Sequence, residues 1–132
     1  MAREKRQYPT EKELAILKVL WSNGPSTVRQ VYAEISKTQK IGYTTTLKLM
    51  QIMIEKGLVV RDESQWSHVY EAAVPAEQTQ RQLVRDLLDR AFRGSAQQLV
   101  VQALAAKRAS REELAEIRRL IEDLEKVRSK QR

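Results

Sequence analysis

At four places where a helical apolar pattern opens, a serine or threonine is followed three residues later by glutamate or glutamine: Thr10 and Glu13, Thr27 and Gln30, Ser95 and Gln98, Ser110 and Glu113. In this capping-box pattern the hydroxyl accepts the backbone N–H of the third helical residue, whose side chain reaches back to the N–H of the cap. Helix starts are thereby marked at both ends of a 132-residue chain, and the expected fold is mostly α.

The first helix carries Leu14, Ile16, Leu17, Leu20 and Trp21 at helical spacing, and "NGP" ends it, because Gly24 accepts a left-handed backbone and Pro25 cannot continue. Ser26 is placed to add one strand step. A second helix from Thr27 to about Lys37 puts Val28, Val31, Tyr32 and Ile35 on one side. After the polar turn "KTQKIG" a third helix runs from Tyr43 to Lys56 and stops at Gly57. Thr46, Leu49, Met50 and Met53 form its buried stripe, leaving Thr44, Thr45, Leu47, Lys48, Gln51 and Glu55 outward or lateral. The β-branched and aromatic segments "LVVRD" and "HVYEAAV" flank "ESQWS" and read as a hairpin. Three short helices and a hairpin in this order form a winged helix-turn-helix pattern, in which the hairpin is the wing.

Past Pro75 the composition turns to long, helix-favouring residues. A fourth helix, Glu77 to Arg93, carries Leu83, Val84, Leu87, Leu88, Ala91 and Phe92; a fifth surrounds "AQQLVVQALAAKR", with Leu99 on it. On the sixth, Leu114, Ile117, Ile121 and Leu124 alternate steps of three and four, and Leu120 and Val127 widen the stripe. The expected organisation is a winged-helix DNA-binding domain over residues 1–74 and a three-helix dimerisation domain over 75–132. Leu83, Leu87, Phe92, Leu99, Leu114, Ile117, Ile121 and Leu124 are the expected dimer contacts. A bundle closed within one chain is the other use of these stripes.

Lysine and arginine outnumber aspartate and glutamate by 24 to 17, a formal charge of +7 that favours a polyanionic partner but is too evenly spread to locate it. There is no cysteine, which removes disulfides, thiolate metal sites and cysteine nucleophiles together. One histidine, His68, cannot build a multi-histidine metal site. No metal, cofactor or catalytic site is expected. No apolar run is long enough to span a bilayer, and the charged start "MAREKRQYPT" leads into no secretory-type segment, so a cytoplasmic protein without membrane insertion is expected.

A reading helix enters the major groove with its N-terminal side chains at base edges. Threonine hydroxyls reach phosphate or base acceptors and the threonine methyl packs on a thymine methyl, so Thr44 and Thr45 suit that position, with Tyr43, Lys48 and Gln51 beside them. Arg29 at the start of the second helix, with Lys37 and Lys40, is suited to phosphate, and Arg61, Gln65 and His68 on the wing could meet the backbone beside the groove. Ordinary helix capping is the competing use of the threonines. Trp66 at the hairpin tip is expected to pack onto the domain; wedging at a duplex is its other use.

The segments "YTTTLKLMQIMIEKGLVVRD", "VYEAAV", "LLDRAFRGSAQQLVVQAL" and "SREELAEIRRLIEDLEK" together resemble the penicillinase-repressor (BlaI/MecI) family, from Thr10 to Lys126. The resemblance implies a homodimeric repressor on inverted-repeat operators, controlling β-lactamase or related antibiotic and cell-wall stress genes until a membrane sensor-protease triggers its cleavage. By position, the family's reading helix falls on Tyr43 to Gln51, its supporting helix on Thr27 to Lys37, its wing on Arg61 to His68 and its dimer helices on Glu77 to Arg128. Its scissile bond aligns on Gln102 and Ala103. The chain departs from the family pattern in having Ile52 where an arginine is common, apolar Leu47, and no glycine in the wing turn. It also lacks the paired terminal cysteines of the copper-responsive branch. Leu47 and Ile52, if exposed, would instead suit a protein-interaction adaptor without specific DNA binding; a basic RNA-associated module is a third reading.

Overall fold

The computed structural model describes residues 8–131; the opening stretch "MAREKRQ" lies outside the described residues. The elements run α1 (Glu11–Asn23), α2 (Val28–Ile35), α3 (Tyr43–Glu55), β1 (Val59–Asp62), β2 (Val69–Ala72), α4 (Ala76–Ala91), α5 (Ala96–Ala106) and α6 (Arg111–Lys130). By their contacts these residues form two units, one reaching Asp86 and one beginning at Leu87. The division falls inside α4, while the compositional change at Pro75 coincides with the start of that helix.

In the first unit, both halves of the capping box form at Thr10 and at Thr27. The apolar stripes of the three helices then meet. Ile16, Leu17 and Leu20 of α1, Val28, Val31 and Ile35 of α2, and Met50 and Met53 of α3 are buried together with Leu58, Val59 and Tyr70. The third helix stops where Gly57 takes φ 79°, letting Gly57 N–H bond Ile54 C=O at 3.1 Å and Leu58 N–H bond Met53 C=O at 2.9 Å. This left-handed cap turns the chain straight into β1 and drops Leu58 into the core.

β1 and β2 pair antiparallel, with Val59 opposite Ala72 and Arg61 opposite Tyr70. On the far side of β2, Ser26 exchanges both backbone bonds with Tyr70, at 2.9 and 2.7 Å, supplying the strand step expected between the first two helices. The indole N–H of Trp21 donates to Val74 C=O at 2.9 Å, and Thr79 in the first turns of α4 is buried, so the exit from the hairpin is tied to this unit.

A long-range ion pair joins opposite ends of two helices. Glu13 Oε1 accepts from Thr10 N–H at 3.0 Å, as the cap requires, and also from Lys56 Nζ at 2.6 Å at the end of α3. The Glu13 side chain is only 3% exposed.

In the second unit the hydroxyls of Ser95 and Ser110 cap α5 and α6, accepting from Gln98 and Glu113 N–H. Among the described residues this hydroxyl half of the box is all that forms there, in contrast to the full boxes expected. No described side chain from Leu87 onward is buried. The closed single-chain bundle is therefore not adopted: Leu114, Leu120, Ile121, Leu124 and Val127 of α6 are all exposed. No helix among the described residues is long and apolar enough to cross a membrane.

Candidate nucleic-acid interface

Three consecutive threonines at the start of α3 divide by helical geometry. Thr46 faces inward, fully buried, its hydroxyl donating to Gly42 C=O at 2.9 Å, while Thr44 and Thr45 are exposed. Neither exposed threonine is the cap. That position is held by Gly42, which supplies no side-chain bond, so the free N–H groups and positive end of the helix dipole are left open to an anion. Lys48 and Gln51 are exposed farther along the helix.

An aromatic and cationic cluster flanks this tip. Tyr43 meets Tyr32 of α2 edge to face at 5.8 Å between ring centres, and the Arg29 guanidinium lies 5.0 Å from the Tyr43 centroid. Such stacking contributes only ~0.5–1 kcal/mol at exposed sites, but it fixes where the Arg29 charge sits. An open cleft runs between this cluster and the hairpin, with Thr27, Arg29, Tyr43 and Leu47 on one side and Ser67 and His68 on the other.

Several placements differ from expectation. Leu47 is half-buried and packs against the core, so it is not an exposed docking residue; Ile52 is exposed at 36%. Trp66, expected to pack onto the domain, is 98% exposed at the hairpin tip, since residues 63–68 all project clear of the core and offer the ring no apolar neighbour. Arg61 is engaged internally. A side-chain hydrogen bond with Tyr70 and then the Glu63 carboxylate hold its guanidinium protonated to still higher pH than usual. Lys37, one of the suggested phosphate contacts, pairs with Glu34 at 3.2 Å on the surface.

The glycine-free wing turn is closed by Asp62, whose Oδ1 accepts Ser64 N–H at 2.9 Å. This backbone bond, followed by the Ser64 hydroxyl, holds the Asp62 carboxyl below its ordinary range. Its folded-state value is depressed, so its contribution to the turn is full above the unfolded carboxylate range and is lost as pH falls through the lowered value. The protection of the Ser64 amide relative to its intrinsic exchange rate should accordingly fall on acidification in the intact chain, and not in Asp62→Asn.

The described arrangement is that of a winged helix-turn-helix head, with α2 lying across α3 and a hairpin beside it. The sequence pattern of the penicillinase repressor family matches residues 9–123, and the chain belongs to that family. The transcriptional regulator BlaI of Mycobacterium tuberculosis, in two strains, is 30% identical over 115 residues, spanning 86% of this chain and 82% of the relative. Among solved structures, the solution structure of monomeric Bacillus licheniformis BlaI in complex with the blaP half-operator covers 55% of this chain and 89% of its own, at 23% identity and a TM-score of 0.49.

Proposed function

We propose that the chain is a transcriptional repressor that binds a palindromic DNA operator as a homodimer. The observation that carries this reading is the exposed pair Thr44 and Thr45 on an α3 tip whose cap uses no side chain. Lys48 lies one turn on, and Arg29 is held beside the same tip. One such head reads only a few base pairs. The exposed stripe of α6 and the half-buried Phe92, Leu99 and Ile117 of the second unit offer apolar surface by which two chains would present two heads. The relatives named above are transcriptional regulators, and the half-operator complex concerns one of that family. By the same family argument the regulated genes are β-lactamase or other antibiotic and cell-wall stress genes, and a membrane sensor-protease relieves repression. The Gln102–Ala103 bond, exposed but within α5, is the position at which such cleavage would fall.

Gel retardation with the region upstream of its own gene tests this reading. Sequence-specific retardation is expected. Thr45→Ala should reduce affinity about fivefold, the loss of a contact worth ~1 kcal/mol. Lys48→Ala should also lower the slope of log affinity against log salt by about 1, because one phosphate contact is gone. Absence of specific retardation at low salt, or full affinity in both variants, would overturn the assignment of α3.

A further inference from the structure

We propose that Trp66 is a minor-groove wedge: when α3 occupies the major groove of duplex DNA, the indole enters the adjacent minor groove and contacts sugars and base edges. The proposal rests on the DNA-binding reading above and adds to it the residue by which the wing engages DNA.

Three observations converge on it. Trp66 is 98% exposed, in contrast to Trp21, whose ring is partly buried and whose N–H is bound to Val74. Folding therefore gives no account of a large apolar ring at this turn. Second, Trp66 lines the same cleft as Arg29 and Tyr43, so the ring and the α3 tip border one open face of the head. Third, the hairpin's arginine is engaged: Arg61 is held by Tyr70 and Glu63. Trp66 is thus the apolar hairpin group left to meet a duplex, beside the exposed polar Gln65 and His68, and Arg29 supplies positive charge on the opposite wall.

A flat ring suits a groove about 6 Å wide. Apolar side chains inserted there partly unstack a base step, which is least costly at flexible pyrimidine–purine steps. The wing should therefore favour such a step flanking each half-site without reading it by hydrogen bonds. An apolar contact also releases no condensed counterions, which separates it from a phosphate clamp.

The test uses the full chain and the tightest duplex it selects from a random-sequence pool. In a Trp21→Phe background, emission comes from Trp66 alone, because the chain has two tryptophans; saturating duplex should quench it. Acrylamide quenching of the unsubstituted chain gives the same information without relying on that substitution, and protection of the accessible tryptophan on binding is expected. Trp66→Ala should weaken the selected duplex about tenfold with the salt slope unchanged, within the range for losing an aromatic contact to a base, and Trp66→Phe should recover part of the loss. Unaltered emission and accessibility in a chain that demonstrably binds the duplex would overturn the wedge and leave the repressor reading standing. A salt slope reduced by about 1 in Trp66→Ala would likewise overturn it. Failure of the pool to yield any preferred duplex would remove the repressor reading and the wedge with it.

Discussion

On the proposed homodimer, Leu124→Glu is expected to leave single chains at micromolar concentration and to weaken operator binding about 100-fold, as the second head ceases to bind at the high effective concentration its linkage provides. Leu124 is 65% exposed on α6, where Leu120, Ile121 and Val127 are also exposed. A carboxylate placed there meets water in the separate chain but loses its hydration in a packed interface. Sedimentation and gel retardation on one preparation check both halves of the expectation. The melting transition of the first unit should stay in place, since the substitution alters an exposed position outside it. A variant that remains dimeric would exclude the α6 stripe as the interface, and an unsubstituted chain that sediments alone would exclude the homodimer itself.

The second large effect is on stability. Lys56→Ala is expected to destabilise the first unit by about 3 kcal/mol, the lower end for removing one partner of a buried ion pair, because the Lys56 side chain keeps 21% exposure. The loss arises from what remains: the Glu13 carboxylate, 3% exposed, retains its cap bond to Thr10 but has no counter-charge. Replacing both, as Glu13→Gln with Lys56→Met, should recover much of the stability while preserving an acceptor for the Thr10 N–H. Denaturant unfolding of the single and double variants measures the difference. Equal stability of Lys56→Ala and the unsubstituted chain would show that water already screens the pair. Since Lys56 closes α3, operator affinity of the folded Lys56→Ala chain should fall less than that of Lys48→Ala.

How much of this was legible in the sequence depended on the range of the interaction. Thr10 with Glu13 and Thr27 with Gln30 are local signals, and both helix starts follow from them. The inward position of Thr46 follows from the same short-range periodicity that buries Met50 and Met53. At Ser95 and Ser110 the spacing foretold the hydroxyl cap but not that the partner side chain would leave the reciprocal bond unmade. The pairing of Glu13 with Lys56 joins residues far apart in the chain and has no local signature. The engagement of Arg61 depends on strand register, which sets it opposite Tyr70 and has no local signature. The packing expected of Trp66 follows the general habit of large rings, whereas its polar neighbours in "ESQWS" offer no apolar partner. The compositional break at Pro75 marked where α4 begins; the burial of Thr79 beyond it depends on tertiary packing.

The Ser26 bridge has a bearing on solubility. A projecting two-stranded ribbon ordinarily presents two open edges to other chains, and unpaired edges invite stacking into aggregates. Here Ser26 occupies the outer side of β2 at Tyr70, and Arg61 and Asp62 place opposite charges along β1. The hairpin can thus extend into water without recruiting its own copies edge to edge.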